Sequence, residues 1–142
     1  MNPRVIHDEL FGELRWDERV DWYESEVEIA ARRKIRVSVK VGEKGPHAAI
    51  EQARRDFPTV LTNEPSYRRQ TAAALIDTHN DYWNDGDKID VDTFRDRITL
   101  ESIVFYVIYI ELFYEDGDLF GGHSIYASLD SGLRFKDAAF EG

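Results

Sequence analysis

Apolar and charged residues alternate with a period of two through the first third of the chain. Val27 and Ile29 alternate with Glu24, Glu26 and Glu28, and Ile35, Val37, Val39 and Val41 alternate with Lys34, Arg36, Ser38 and Lys40. This is the pattern of half-buried strands. The two polar faces carry opposite charge, so antiparallel neighbours would set Glu against Lys or Arg, each pair contributing about 0.2–1 kcal/mol. An earlier strand, Glu9 to Trp16, is expected to form a hairpin with the next through Asp17 to Asp21. The pattern predicts strands over 8–16, 22–30 and 34–41.

The cluster Gly42-Glu-Lys-Gly-Pro46 ends this region and the period changes. Ile50, Ala53 and Phe57 recur at helical spacing, which predicts a helix over 47–57 ended by Pro58. A second helix is expected over 65–83, with Pro65 at its first position. Tyr67, Thr71, Ala74, Leu75, Thr78 and Tyr82 would form one buried stripe, and Ala72, Ile76 and Trp83 another. His79 and Leu75 should lie at the helix-sheet interface. After a polar break over 84–88, Asp90 or Asp92 would start a short helix over 91–98 containing Phe94 and Ile98.

The last third returns to strands, predicted over 101–115, 122–129 and 133–141. Residues 103–114 are apolar on both alternating faces, the mark of a central strand covered on both sides. Gly117, Gly121 and Gly122 permit one turn, and Asp130-Ser-Gly132 marks another. The expectation is a single α+β domain over 1–142, an antiparallel sheet in β-β-β-α-α-α-β-β-β order with helices packed on it.

Composition fits that expectation and removes some functions. The length of 142 residues is enough for a packed core, and 42% hydrophobic with 13% aromatic content argues against disorder. The absence of cysteine excludes disulfides, Cys-based zinc sites and thiol chemistry. Eighteen Lys and Arg against 28 Asp and Glu give a net charge of −10. That charge repels phosphate backbones and anionic lipid and favours a basic protein partner or plain solubility. The opening residues lack the apolar core of a signal peptide, and the longest apolar run is far short of the ~20 residues that span a bilayer. Expected, therefore, are a cytoplasmic location, no nucleic acid and no membrane.

Unusual polar residues crowd at one place, the turn after the long apolar segment. With a loop over 116–121, Tyr114 would pair with His123, Leu112 with Ile125 and Ile110 with Ala127, while Glu115 faces Gly122. Glu111 would lie on the other sheet face opposite Tyr126. His123, Glu111, Asp118 and Tyr114 are the candidates for a general acid/base site. Glu115, Asp116 and Asp118, with Asp85 and Asp87, are the candidates for contact with a basic partner. A structural His123, hydrogen-bonded to a neighbour, is the competing reading. His79 has no second His at helical spacing and reads as a core histidine. Asp85, Asp87, Asp90 and Asp92 have the composition of a calcium loop without its spacing around Gly86. No nucleophile elbow and no phosphate-cradling Gly loop occurs, and Arg54-Arg55 and Arg68-Arg69 read as solvated helix faces. No metal site and no cofactor is expected.

The string Asp116-Gly-Asp-Leu-Phe-Gly-Gly-His-Ser-Ile125, with Phe94, Arg97-Ile98, Leu100, Ser102-Ile103 and residues 80–83 upstream, resembles the bacterial family of unknown function numbered twenty-two sixty-two. The resemblance is strong over the C-terminal half and looser over the N-terminal strands. It implies a shared fold and bacterial origin, and it brings no catalytic residue with it. Two functions are then expected in competition. One is a non-enzymatic binding protein, of the immunity or antitoxin kind, offering an acidic surface to a basic protein. The other is a small hydrolase or isomerase using the acidic turn and His123, with or without a metal. A homo-oligomer is compatible with either.

Overall fold

The computed structural model describes residues 2–141. Eight strands lie side by side in chain order: β1 (Val5–Asp8), β2 (Gly12–Asp17), β3 (Trp22–Ala30), β4 (Arg33–Lys40), β5 (Thr99–Phe105), β6 (Ile110–Glu115), β7 (Ile125–Leu129) and β8 (Phe135–Phe140). All neighbours pair antiparallel except β4 and β5, which are parallel. Between them run α1 (Pro46–Thr78), a π-helical turn (His79–Trp83) and α2 (Val91–Arg97). The fold is α+β, in the order ββββ, two helices, ββββ, which corrects the expected strand order and helix count.

Each departure has a local cause. The expected strand over 8–16 is two strands folded at Asp8, whose Oδ2 accepts from the Leu10 and Phe11 N–H groups at 2.9 and 3.0 Å. The expected central strand over 101–115 is a hairpin, β5 and β6, joined by the apolar tip Tyr106-Val-Ile-Tyr109. β5 still has the predicted centrality, since residues 102–105 are all buried, on both faces. The two helices expected at 47–57 and 65–83 are one 33-residue helix with Pro58 and Pro65 inside it. An interior proline costs ~3 kcal/mol. Both prolines are exposed, on the side where a helix curves toward water and freed carbonyls can be solvated. The opposite side is buried at Ile50, Ala53, Phe57, Val60, Glu64, Tyr67, Thr71 and Leu75, in steps of three and four unbroken across both prolines.

At about 1.5 Å per residue α1 is ~50 Å long, nearly twice the length of β4. It packs on β4, β7 and β8. The main core lies between it and one sheet face: Val37, Val39, Ile103, Phe105, Leu112, Tyr114, Ile125 and Ala127 meet Ile50, Phe57, Val60 and Leu75. The expected pairing of β3 with β4 is present, with Glu26 opposite Arg36 and Glu28 opposite Lys34. His79 and Leu75 are buried, as predicted. Ala74 and Tyr82 are exposed, contrary to the predicted stripe: Ala74 lies off the buried line Tyr67, Thr71 and Leu75 of α1, and the wider π-helical turn shifts the phase of Tyr82 and the other residues after Thr78.

Candidate functional site

The register of β6 and β7 differs by two residues from the expected one: Tyr114 pairs with Ile125, Leu112 with Ala127, Ile110 with Leu129 and Glu111 with Ser128. An even shift preserves which face each side chain occupies but changes its neighbours. The cause is the loop over 116–124, which is longer than a simple turn because Leu119 and Phe120 turn inward and are fully buried.

Asp116 organises that loop. Its Oδ1 accepts from Asp118 N at 3.0 Å, and its Oδ2 accepts from Phe120 N and Gly122 N, each at 2.9 Å. It is 6% exposed, so the carboxylate expected at a partner surface is instead held inside by backbone donors. Gly117 approaches α2 so closely that a Cβ there would lie 2.4 Å from the Arg97 carbonyl oxygen. His123 Nδ1 lies 2.5 Å from the Phe120 carbonyl, which can only accept, so this nitrogen carries the proton. The structural reading of His123 thus has its hydrogen bond. Asp118 and Glu115 are exposed.

The four catalytic candidates do not converge. Tyr114 is fully buried on the helix side, where its hydroxyl donates to Glu64 Oε2 at 2.9 Å. Glu64 is in turn clamped by the Arg68 guanidinium, with Nε 3.0 Å from Oε2. Burial first, then the neighbouring Glu64 charge, pushes the Tyr114 phenol far up. Glu111 lies on the opposite sheet face, beside Tyr106. Burial raises its pKa, a hydrogen bond from Tyr106 opposes this, and Glu141 and Asp137 raise it further. His123 packs instead against Trp83, ring centres 5.6 Å apart, with Phe140 beyond. Among the described residues, no three His, Asp or Glu side chains gather as a metal site.

Two surfaces stand at opposite ends of α1, the first including the partner candidates Asp85 and Asp87 and the second not singled out from sequence. At its C-terminal end the π-helical turn leaves Tyr82 81% exposed and Trp83 40% exposed. Trp83 packs edge-on to Phe120 and Phe140, so one side of its ring is anchored while the other meets solvent. Asp81, Asp85 and Asp87 are exposed around this pair, and the loop carrying Asp118 lies against Trp83. Beneath, His79 Nδ1 bonds the Leu119 carbonyl at 2.8 Å, while its Nε2 is buried without a partner among the described residues.

At the N-terminal end of α1 lies a cavity of about 450 Å³, where the parallel strands β4 and β5 both end. Its walls are the first turns of α1, the loop over 42–45, the 106–109 hairpin tip and the β7–β8 turn. Val107 closes one side: a Cβ on Gly42 would meet Val107 Cγ2 at 2.7 Å. Asp56 and Asp130 line this cavity and are half-buried. Burial raises the Asp56 pKa, partly offset by Arg55.

The chain is thus an α+β protein built on one largely antiparallel sheet, with its polar chemistry dispersed over both ends of a long helix. Residues 8–140 match the family described as an uncharacterised protein conserved in bacteria (DUF2262), and the protein belongs to that family. No curated protein and no solved structure matches it. No helix among the described residues is long and apolar enough to cross a membrane.

Proposed function

We propose that the protein is a non-enzymatic binding protein that presents its acidic, aromatic surface at the C-terminal end of α1 to a basic protein partner, in the manner of an immunity or antitoxin-like protein. The observation that carries this reading is the exposure of Tyr82 and Trp83 in one short segment, 81–87, that also exposes Asp81, Asp85 and Asp87. Tyr and Trp are the residue types that dominate binding energy at interfaces. Carboxylates around them would steer a basic surface into place. The net charge of −10 supports the same direction. The enzymatic alternative draws less support, because Tyr114 is committed to Glu64 and Glu111 stands on the other face of the sheet.

The test is affinity capture from native bacterial lysate with the wild-type chain, an Asp85→Lys/Asp87→Lys variant and Tyr82→Ala. A basic protein should be retained by the wild type and lost from both variants. Its purified form should bind more weakly as salt rises, because exposed charges are screened. Equal retention of the same protein by all three chains would refute the proposal.

A further inference from the structure

We propose that the cavity at the N-terminal end of α1 is a binding site for a small organic cation with an apolar body. This inference is independent of the surface around Tyr82, which lies at the other end of a ~50 Å helix. The cavity volume of about 450 Å³ falls within the range of small-molecule sites, ~300–1,000 Å³. Its position outside the carboxyl ends of a parallel strand pair is where open sheets with crossover helices hold ligands.

The apolar part of the ligand follows from the walls. Ala49 and Ala53 present small side chains on α1, so the helix surface is recessed, and Phe105, Ile110 and Leu133 form the facing side. The tip residues Val107 and Ile108 are 52% and 72% exposed and stand at the rim, where a bound apolar body would cover them.

The cationic part follows from the polar groups. The half-buried carboxylates are Asp56 and Asp130. Asp130 uses Oδ1 to accept from Gly132 N and Arg134 N. Asp56 has no hydrogen-bond or ion-pair partner among the described residues. The half-buried lysine of the lining, Lys40, has its ammonium on the Val20 carbonyl at 2.7 Å, and Glu43 and Lys44 offset one another at the exposed rim. A carboxylate kept in an apolar recess without a partner is costly unless a cation meets it there, and Asp56 supplies that charge.

The experiment is titration of the ¹⁵N-labelled full chain with two probes of matched shape and opposite charge, tryptamine and indole-3-propionate. Amide shifts then report where each binds. Tryptamine should produce saturable shifts at Ala49, Gln52, Ala53, Val107 and Ile108, with a Kd at least about tenfold below that of indole-3-propionate, the ratio for one modest charge interaction. In Asp56→Asn the same amides should still shift, because the apolar walls remain, but the two probes should bind within about twofold of each other. Absence of saturable shifts with either probe would overturn the site. Equal or tighter binding of the anion to the wild type, or an unchanged cation preference in Asp56→Asn, would overturn its chemistry.

Discussion

Glu64 holds the helix to the sheet through a charge, and that makes the Tyr114-Glu64-Arg68 group the sharpest test of the packing. Tyr114→Phe removes one hydrogen bond of 2.9 Å to an ionised acceptor while Arg68 stays on Glu64, so it should cost about 1.5–3 kcal/mol. Glu64→Leu fits the apolar stripe of α1 but leaves the fully buried Tyr114 hydroxyl without its acceptor and Arg68 without its carboxylate. Removing one member of a buried pair costs about 3–5 kcal/mol. The Arg68 side chain is 25% exposed and can turn to water, which places this variant near the lower end, about 3 kcal/mol. In the double variant the orphaned hydroxyl is gone, so the cost should fall at least about 1 kcal/mol below the sum of the singles. Urea melts followed by circular dichroism, with m unchanged, would measure all four states. Additivity to within ~0.5 kcal/mol, or a Tyr114→Phe effect below that size, would refute the coupling.

Leu75→Ala should cost about 2–5 kcal/mol in the same melts, since Leu75 is buried between α1 and the sheet and its loss leaves a cavity; a cost typical of surface positions would reverse the helix orientation. Alkali should unfold the protein: burial raises the phenols of Tyr114 and Tyr106, the latter to about 12 against an ordinary 10.0, so their stabilisation is complete below pH 10 and is lost as pH rises through 12. Stability that is flat over that window would contradict this. Asp116→Ala should cost about 1–3 kcal/mol and speed amide exchange at Phe120 and Gly122, because it leaves buried donors unpaired; unchanged exchange there would mean the loop does not depend on the carboxylate.

Much of the fold was legible where one face of an element is wet. β3 and β4 were readable as antiparallel neighbours, because Glu26 and Glu28 face Arg36 and Lys34 across a solvent-exposed surface. The failure over the helices comes from reading punctuation residues without their tertiary setting. Pro58 and Pro65 suggested two helix ends, yet the stripe running from Phe57 to Val60 and from Glu64 to Tyr67 passes both at uninterrupted spacing. A buried face along the whole of a 33-residue helix outweighs two prolines on its wet side. The presence of Glu64 inside that stripe hid the continuity, because its charge is satisfied only by Tyr114 and Arg68, which no local pattern reveals.

The opposite error occurred at Tyr106-Val-Ile-Tyr109, where a turn exists without any Gly, Pro, Asn, Asp or Ser to signal it. It is held by Tyr106 N–H donating to the Tyr109 carbonyl at 2.9 Å, by the stacked rings of Tyr106 and Tyr109 at 4.4 Å, and by Val107 seated on the bare backbone of Gly42. A hairpin tip of exposed Val107 and Ile108 gains nothing for turn formation and leaves apolar surface in water. The acidic turn shows the reverse economy: in Asp116-Gly-Asp-Leu-Phe-Gly-Gly-His123, the carboxylate of Asp116, the close approach of Gly117, the core contacts of Leu119 and Phe120 and the hydrogen bond of His123 are all used by the loop itself. A prominent motif can therefore be almost wholly architectural. The residues whose chemistry the fold leaves unspent lie outside that loop, Tyr82 at one end of α1 and Asp56 with the 106–109 tip at the other.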